Sequence, residues 1–529
     1  MLKLFYNADI YTMDRSNPVV NNVLVEDGII VDYNVEEKDE YQKINLKGKT
    51  LIPGLCDSHL HTVMFGSELE KLDLSDADSI NNLIEMGKNY IENKDLEKGE
   101  WIIGWGWNQE KFDQDTLPTT KDLDEISTDF PIVFRRECRH VLTANSTALK
   151  KAGIYNKKLN NERIYTDAKG NPNGVLCEDA QKLILDAAPQ TTIDDIKHYI
   201  LAASKKYLEN GLTFVQSEDL ADSNISYHKT LKAYFELADD GKLPLRYNLQ
   251  LRLTNEKDLK EFIAKYKTGK YNDFLTLGPL KIWADGSLGA RTAALRESYN
   301  DQQDTKGQLL CSREKMKTLV EIAYKNKMQV VCHAIGDRTI EQFIEIIEKF
   351  NKKYDYKLRH RIIHSQLADY KLLKRMKAAD ISTDIQPAFT ASDWKIVGKR
   401  IGKKREQQSY LWKDMIDLGI NTAGSSDSPI EKPDPFWGIS CAVTRKDKFF
   451  QPNFGWLPNQ KVTVQDALEM YTKNGAYNAF VENELGQIKI GYKADFSILS
   501  ENPFYVEENE LRNINVDTIV IDGNIIEQS

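Results

Sequence analysis

A chain of 529 residues exceeds one average domain, but a (β/α)8 barrel with insertions and a smaller partner domain fits that length. Its 41% hydrophobic and 29% charged residues suit a globular protein with a sizeable core. A net charge of −9 and a pI near 5.6 exclude a general nucleic-acid binder, which would carry a basic surface.

The N-terminus reaches Asn7 and Asp9 before the apolar core of a signal peptide could form, and no apolar run approaches the roughly 18 residues that span a bilayer. The six cysteines (56, 138, 177, 311, 332 and 441) lie far apart and form no CxxC pair. That spacing is neither a disulfide framework nor a cysteine zinc cluster and suits a reducing compartment, so a soluble, cytoplasmic protein is expected, with no nucleic acid or membrane as partner. The basic run 399–405 reads as a solvated helix or loop.

In chain order, the first fifty residues predict short strands over 2–6, 19–26 and 28–33, with turns at Asn17-Pro18 and Asp27-Gly28. From 51 onward, short apolar strands alternate with helical patterns, the signature of a parallel sheet. Eight strands are expected: 50–56, 212–216, 246–251, 280–283, 328–332, 361–363, 381–385 and 420–424. Helices between them include 193–209, 314–326, 340–351 and 370–377. Eight such units favour a closed barrel over an open sheet.

An insertion of about 65–190 follows the first strand and carries the aromatic run Trp101-Ile102-Ile103-Gly104-Trp105-Gly106-Trp107. Two readings stay open for that run: the core strand of a sub-domain, or an apolar lid over the barrel mouth. The last forty residues again read as strand–turn–strand, over 494–499, 516–521 and 524–526, with a turn at Asp522-Gly523. Neither end holds enough apolar surface for its own core, so the two termini are expected to pair into one small β-domain. The expected division is 1–50, 51–485 for the barrel with its insertion, and 486–529.

The segment Leu51-Ile52-Pro53-Gly54-Leu55-Cys56-Asp57-Ser58-His59-Leu60-His61-Thr62 is the most informative. Residues i and i+2 of a strand point the same way, so His59 and His61 leave one face together and form half of a transition-metal site. Polar residues recur at later strand ends, where barrel enzymes keep their chemistry. They are Lys281 in the fourth, His333 after the fifth, His364 after the sixth and Asp427 after the eighth. His360 reads as structural, and His198 and His228 as surface residues of helices.

This order of residues resembles the amidohydrolase superfamily nearly end to end, and more narrowly its N-substituted formamide deformylase-like branch. The narrower likeness rests on Lys281-Ile282-Trp283-Ala284-Asp285-Gly286-Ser287-Leu288-Gly289-Ala290-Arg291-Thr292-Ala293, on His333-Ala334-Ile335-Gly336-Asp337 and on Arg359-His360-Arg361-Ile362-Ile363-His364-Ser365-Gln366. Ser426-Asp427-Ser428-Pro429 with Asp434-Pro435, and Gly170-Asn171-Pro172-Asn173-Gly174-Val175-Leu176-Cys177-Glu178 in the insertion, add to it.

The resemblance implies a (β/α)8 TIM barrel with a small β-sandwich built from both chain ends. It also implies one or two divalent metal ions, zinc first among them. His59 and His61 would hold one with Asp427, and His333 and His364 the second. Lysines at the position of Lys281 can be N6-carboxylated and bridge two metals, since an anionic carbamate attracts the dications that an ammonium repels; an ordinary ion-paired lysine or a single-metal variant are the alternatives. The implied activity is hydrolysis of a non-peptide C–N bond (amide, N-formyl, cyclic amide or carbamate) in a small molecule, with metal-activated water as nucleophile and Asp427 as general acid and base. A deaminase or an ester or lactone hydrolase on the same site, or an inactive barrel scaffold, are the competing readings, and a homodimer is a family-level expectation.

His140 is a further catalytic candidate, in a block where relatives read Asp-Gly-His…Trp-Val-Asn-Ser. Here Cys138 and Arg139 replace the Asp-Gly pair and Thr143 replaces the Trp. Trp107, Asn145, Gln216, Asp285 and Arg291 are the expected substrate contacts, with bracing of the strand-four loop the alternative role for Asp285 and Arg291. Glu218, near Gln216, is a weaker candidate for the pocket wall.

Overall fold

The computed structural model describes residues 1–97, 99–138, 140–220 and 225–526. Eight strands build the barrel sheet: β1 (Leu55–Leu60), β2 (Leu212–Ser217), β3 (Arg246–Leu251), β4 (Leu275–Trp283), β5 (Val330–Ala334), β6 (Arg361–His364), β7 (Ser382–Ile385) and β8 (Thr422–Gly424). All neighbours from β1 to β8 pair in parallel and in chain order. The seam between β8 and β1 is bridged just past the strand ends, where Asp427 N donates to His59 O (2.9 Å) and His61 N to Ser428 O (2.8 Å). Helices follow the strands as expected, for example Arg313–Lys325, Asp337–Lys353 and Tyr370–Ala378.

Two strands differ from the sequence reading for local reasons. The expected strand 50–56 is two strands, because Pro53 lacks an N–H and the chain changes sheets at Gly54, whose N–H donates to Asp495 O. A side chain at Gly54 would lie 2.2 Å from Thr213 Oγ1. The fourth strand begins five residues earlier than expected, since Gly278-Pro279 inside it reads as a turn. His333 is the penultimate residue of its strand and His364 the last of its own, rather than beyond them.

Both chain ends join one eight-stranded sheet. Thr50–Pro53 sews the halves together, parallel to Leu2–Tyr11 and antiparallel to Phe496–Leu499. Phe5, Val23, Ile30, Leu51, Phe496 and Val520 meet in its core. The expected turns Asp27-Gly28 and Asp522-Gly523 have positive φ at both residues, the two-residue hairpin geometry that Asp-Gly favours. Because Thr50–Pro53 belongs here, the barrel starts beyond it rather than at 51.

Residues 63–202 form a compact unit of their own. Its six-stranded sheet runs Ile164–Thr166, Pro172–Cys177, Val141–Ala144, Ile132–Arg136, Ile102–Trp107, Leu72–Asp73. Ile102–Trp107 is an interior strand of that sheet, the core-strand reading of the aromatic run.

His360 supports the barrel from below. It is buried, its Nδ1 accepts from Val330 N (3.0 Å), and burial lowers its pKa to about 3. The folded protein therefore binds this proton more weakly than the unfolded chain does. Its contribution is full above the unfolded value near 6.5 and declines by about 1.4 kcal/mol per pH unit as pH falls from there towards 3. His360→Gln is expected to flatten that acid limb in urea titrations from pH 7 to 4; an unchanged slope would contradict it.

Candidate metal centre

The β8–β1 seam is where the chemistry gathers. His59 Nε2 and His61 Nε2 each lie 3.2 Å from Asp427 Oδ1, and the three ligand atoms fall within 4.8 Å of one another. Lys281 Nζ, on β4, stands 3.2 Å from His59 Nε2. His333 and His364, on adjacent strands, pair edge-to-face with ring centroids 4.5 Å apart, and the His364 ring lies 6.2 Å from that of His59. All six residues expected to ligate metal thus collect at the C-terminal ends of the barrel strands.

Each imidazole is anchored through Nδ1. His59 Nδ1 meets Gln250 Oε1 (2.9 Å), His61 Nδ1 the Glu218 carbonyl (2.9 Å), His333 Nδ1 Asp285 Oδ1 (3.1 Å) and His364 Nδ1 Gln386 Oε1 (2.7 Å). The two glutamines are themselves oriented, Gln250 donating to Ser58 O and Gln386 to Ser425 Oγ. Each of these partners offers an acceptor oxygen that orients the ring through Nδ1, and at His59 and His61 this turns Nε2 towards Asp427 Oδ1. Four imidazoles anchored through Nδ1, beside a carboxylate, are a donor set that fits a divalent transition metal.

Burial lowers the His59 pKa to about 3, helped by the Lys281 charge. For His61 burial works the same way, but the Asp427 hydrogen bond and the Glu218 charge outweigh it and carry the pKa up to about 9. Burial would raise Asp427, yet hydrogen bonds from His59 and His61 hold it well below the ordinary carboxylate range. Lys281 is lowered to about 8 by burial. Asp57 is raised to about 7 by burial, while accepting from the backbone N–H groups of His59 and Ser426.

The backbone is strained at the same place. Asp427 (φ 59°) and His364 (φ 75°) adopt left-handed conformations that non-glycine residues rarely take, as ligand-bearing residues often do.

The expected substrate contacts fare differently. Asp285 is fully buried and accepts from five donors, so it positions His333 rather than facing a substrate. Gln216 is locked inside the barrel, donating to Gly475 O and accepting from Arg361. Arg291, also at positive φ, is tied to Asp301. Within the inserted unit, Trp107 is buried against Phe112, and Asn145 caps the helix Ser146–Lys151 while accepting from Ile132 N. Both are internal supports there, not the substrate contacts expected. His140 is exposed and paired with Glu178 (3.0 Å); Arg139 lies outside the described residues. His198 and His228 are surface residues paired with Glu70 and Glu261.

Sequence reasoning missed Gln250 and Gln386, which orient His59 and His364. The signal was present: each is a polar residue within or just past an apolar barrel strand, at the same end as the histidines.

A parallel barrel with histidines, a lysine and an aspartate converging at its strand ends defines a metal-dependent hydrolase. The chain belongs to the amidohydrolase family, whose model matches residues 42–527. It is similar to YtcJ, an amidohydrolase by name, from Bacillus subtilis (strain 168), at 36% identity over 99% of both chains. It is also 23% identical to the N-substituted formamide deformylase of Arthrobacter pascens, over 98% of this chain and 97% of that one. A crystal structure of an uncharacterized metal-dependent hydrolase from Pyrococcus horikoshii OT3 superposes with a TM-score of 0.80 at 29% identity, covering 96% of this chain and 99% of that one.

Proposed function

We propose that the chain hydrolyses a C–N bond in a small molecule, an N-formyl or other N-acyl amide first, with cyclic amides and carbamates in the same class. The observation that carries this reading is the gathering of four imidazoles, each anchored through Nδ1, with Asp427 at one end of the barrel. Near full-length similarity to a formamide deformylase supports the N-formyl class.

His59, His61 and Asp427 would hold one divalent ion and His333 and His364 a second, with zinc suited to this donor set. When bound, such an ion supplies Lewis acidity and makes water a competent nucleophile near neutral pH. Asp427 does the proton work: its carboxylate, kept anionic by the two histidines, takes the proton of the attacking water and returns it to the leaving nitrogen. The water oxygen bonds to the acyl carbon, the C–N bond breaks, and carboxylate and amine leave.

Lys281 would act as its carbamate. Burial lowers its ammonium to about 8, so about a tenth is free amine at pH 7, and the amine is the form that adds CO2 and releases a proton.

The test is a panel of N-formyl, N-acyl, cyclic amide, carbamate and lactone compounds with separate detection of carboxylate, amine and ammonia. Matched release of carboxylate and amine is expected, falling to background after chelation and returning with zinc. Ammonia as the sole nitrogen product, or turnover of lactones only, would overturn the reading.

A further inference from the structure

Glu218, Arg252 and Trp283 follow or end β2, β3 and β4, on the side of the barrel mouth next to His61. The Arg252 guanidinium carbon sits 4.1 Å from the centroid of the Trp283 ring, and that ring is 5.5 Å from the His333 ring. On the other side, Arg252 Nη1 lies 3.6 Å from Glu218 Oε1, while Glu218 Oε2 is 3.8 Å from His61 Nδ1. The guanidinium is therefore bracketed between a histidine of each half of the metal centre.

Its contacts are an ion pair and a ring face, and neither is a hydrogen bond. Stacking on an indole fixes a guanidinium through its face and uses none of its five N–H groups. The approach to Glu218 is beyond hydrogen-bond length. Among the described residues, Arg252 donates no side-chain hydrogen bond. Its side chain is 22% exposed. Trp283 beside it is 40% exposed, a large apolar face at a strand end where barrel enzymes bind substrate. A fixed fork of N–H groups, ion-paired with Glu218 on one side but not hydrogen-bonded, beside a partly exposed aromatic ring matches a planar carboxylate attached to an apolar group.

We propose that Arg252 and Trp283 form a subsite for the carboxylate and apolar side chain of the substrate, which makes the substrate class N-acyl, and first N-formyl, α-amino acids. The inference rests on the C–N hydrolase reading and adds the anionic group that reading lacks. Arg252 takes the carboxylate through its N–H edge, Trp283 holds the guanidinium and packs the side chain, and the amide carbonyl is presented to the metal centre. Hydrolysis of such a substrate consumes one water and releases formate, or another carboxylate, and the free amino acid.

The experiment compares N-formyl-leucine with N-formyl-3-methylbutylamine, the same molecule without its carboxylate. The wild-type protein is expected to prefer the acid in kcat/KM. Arg252→Met lowers the acid-to-amine ratio by about 10- to 100-fold, mainly through KM, and Arg252→Lys, a point charge without the fork, by less. Arg252→Gln replaces Arg252→Met if the latter loses metal content or its circular dichroism spectrum. An unchanged ratio, or an equal loss on both substrates, overturns the subsite and leaves C–N hydrolysis standing. If the wild type cleaves neither compound, calorimetric binding of N-formyl-leucine decides: binding abolished by Arg252→Met upholds the subsite, and binding that ignores the substitution, or none, overturns it, while the substrate panel above decides C–N hydrolysis separately.

Discussion

Asp427→Asn is expected to lower kcat by about 10²–10⁴-fold while the purified protein, equilibrated with excess zinc, still binds metal. The proposed proton transfer needs an anionic carboxylate, and hydrogen bonds from His59 and His61 overcome the burial that would otherwise protonate it. An amide keeps the shape and one oxygen donor but cannot accept a proton. Asparagine also tolerates the left-handed backbone at this position (φ 59°), so the substitution isolates the proton-transfer role, where Asp427→Ala would add backbone strain. Steady-state kinetics with metal analysis on the same sample is the measurement. Near wild-type turnover would remove Asp427 from proton transfer.

Much of the candidate centre is legible in the sequence because the residues gathered there follow apolar strands in a fixed order. His59 and His61 share a face by the two-residue period, and His333, His364 and Asp427 each end or follow a run of Val, Ile, Ala or Gly. A barrel of in-order parallel strands then carries those ends to one side without any further information. What stayed hidden is the layer behind the ligands. Whether Gln250 faces His59 depends on the stagger between β1 and β3, two strands that do not pair directly. Likewise Asp285 lies two residues beyond β4, and a polar residue there serves substrate or scaffold equally well until its five donors are seen. Trp107 and Asn145 misled for a related reason: an aromatic run and a matched motif both mark an ordered core, and here that core is the inserted unit's own.

Asp285 has the largest expected effect of any residue outside the ligand set. Its Oδ1 accepts from His333 Nδ1 and Ile335 N (both 3.1 Å), and its Oδ2 from Ala294 N (3.1 Å), Gly336 N (2.8 Å) and Thr339 Oγ1 (2.9 Å). The side chain is fully buried, so no water can replace it. In Asp285→Asn an NH2 group must replace one oxygen and face groups that are themselves donors. Leaving buried donors unmatched around a lost charge costs about 3–5 kcal/mol, read as a lower urea midpoint. The same change frees the His333 ring, and zinc affinity is expected to fall about 10- to 100-fold. Thr339→Val separates the two effects. It removes one donor to Oδ2, costs about 1 kcal/mol and leaves Oδ1 on His333, so zinc affinity stays within about threefold. Should Asp285→Asn bind zinc as tightly as the wild type, His333 would owe its orientation to something other than this carboxylate, and its place in the second half of the centre would fall with it.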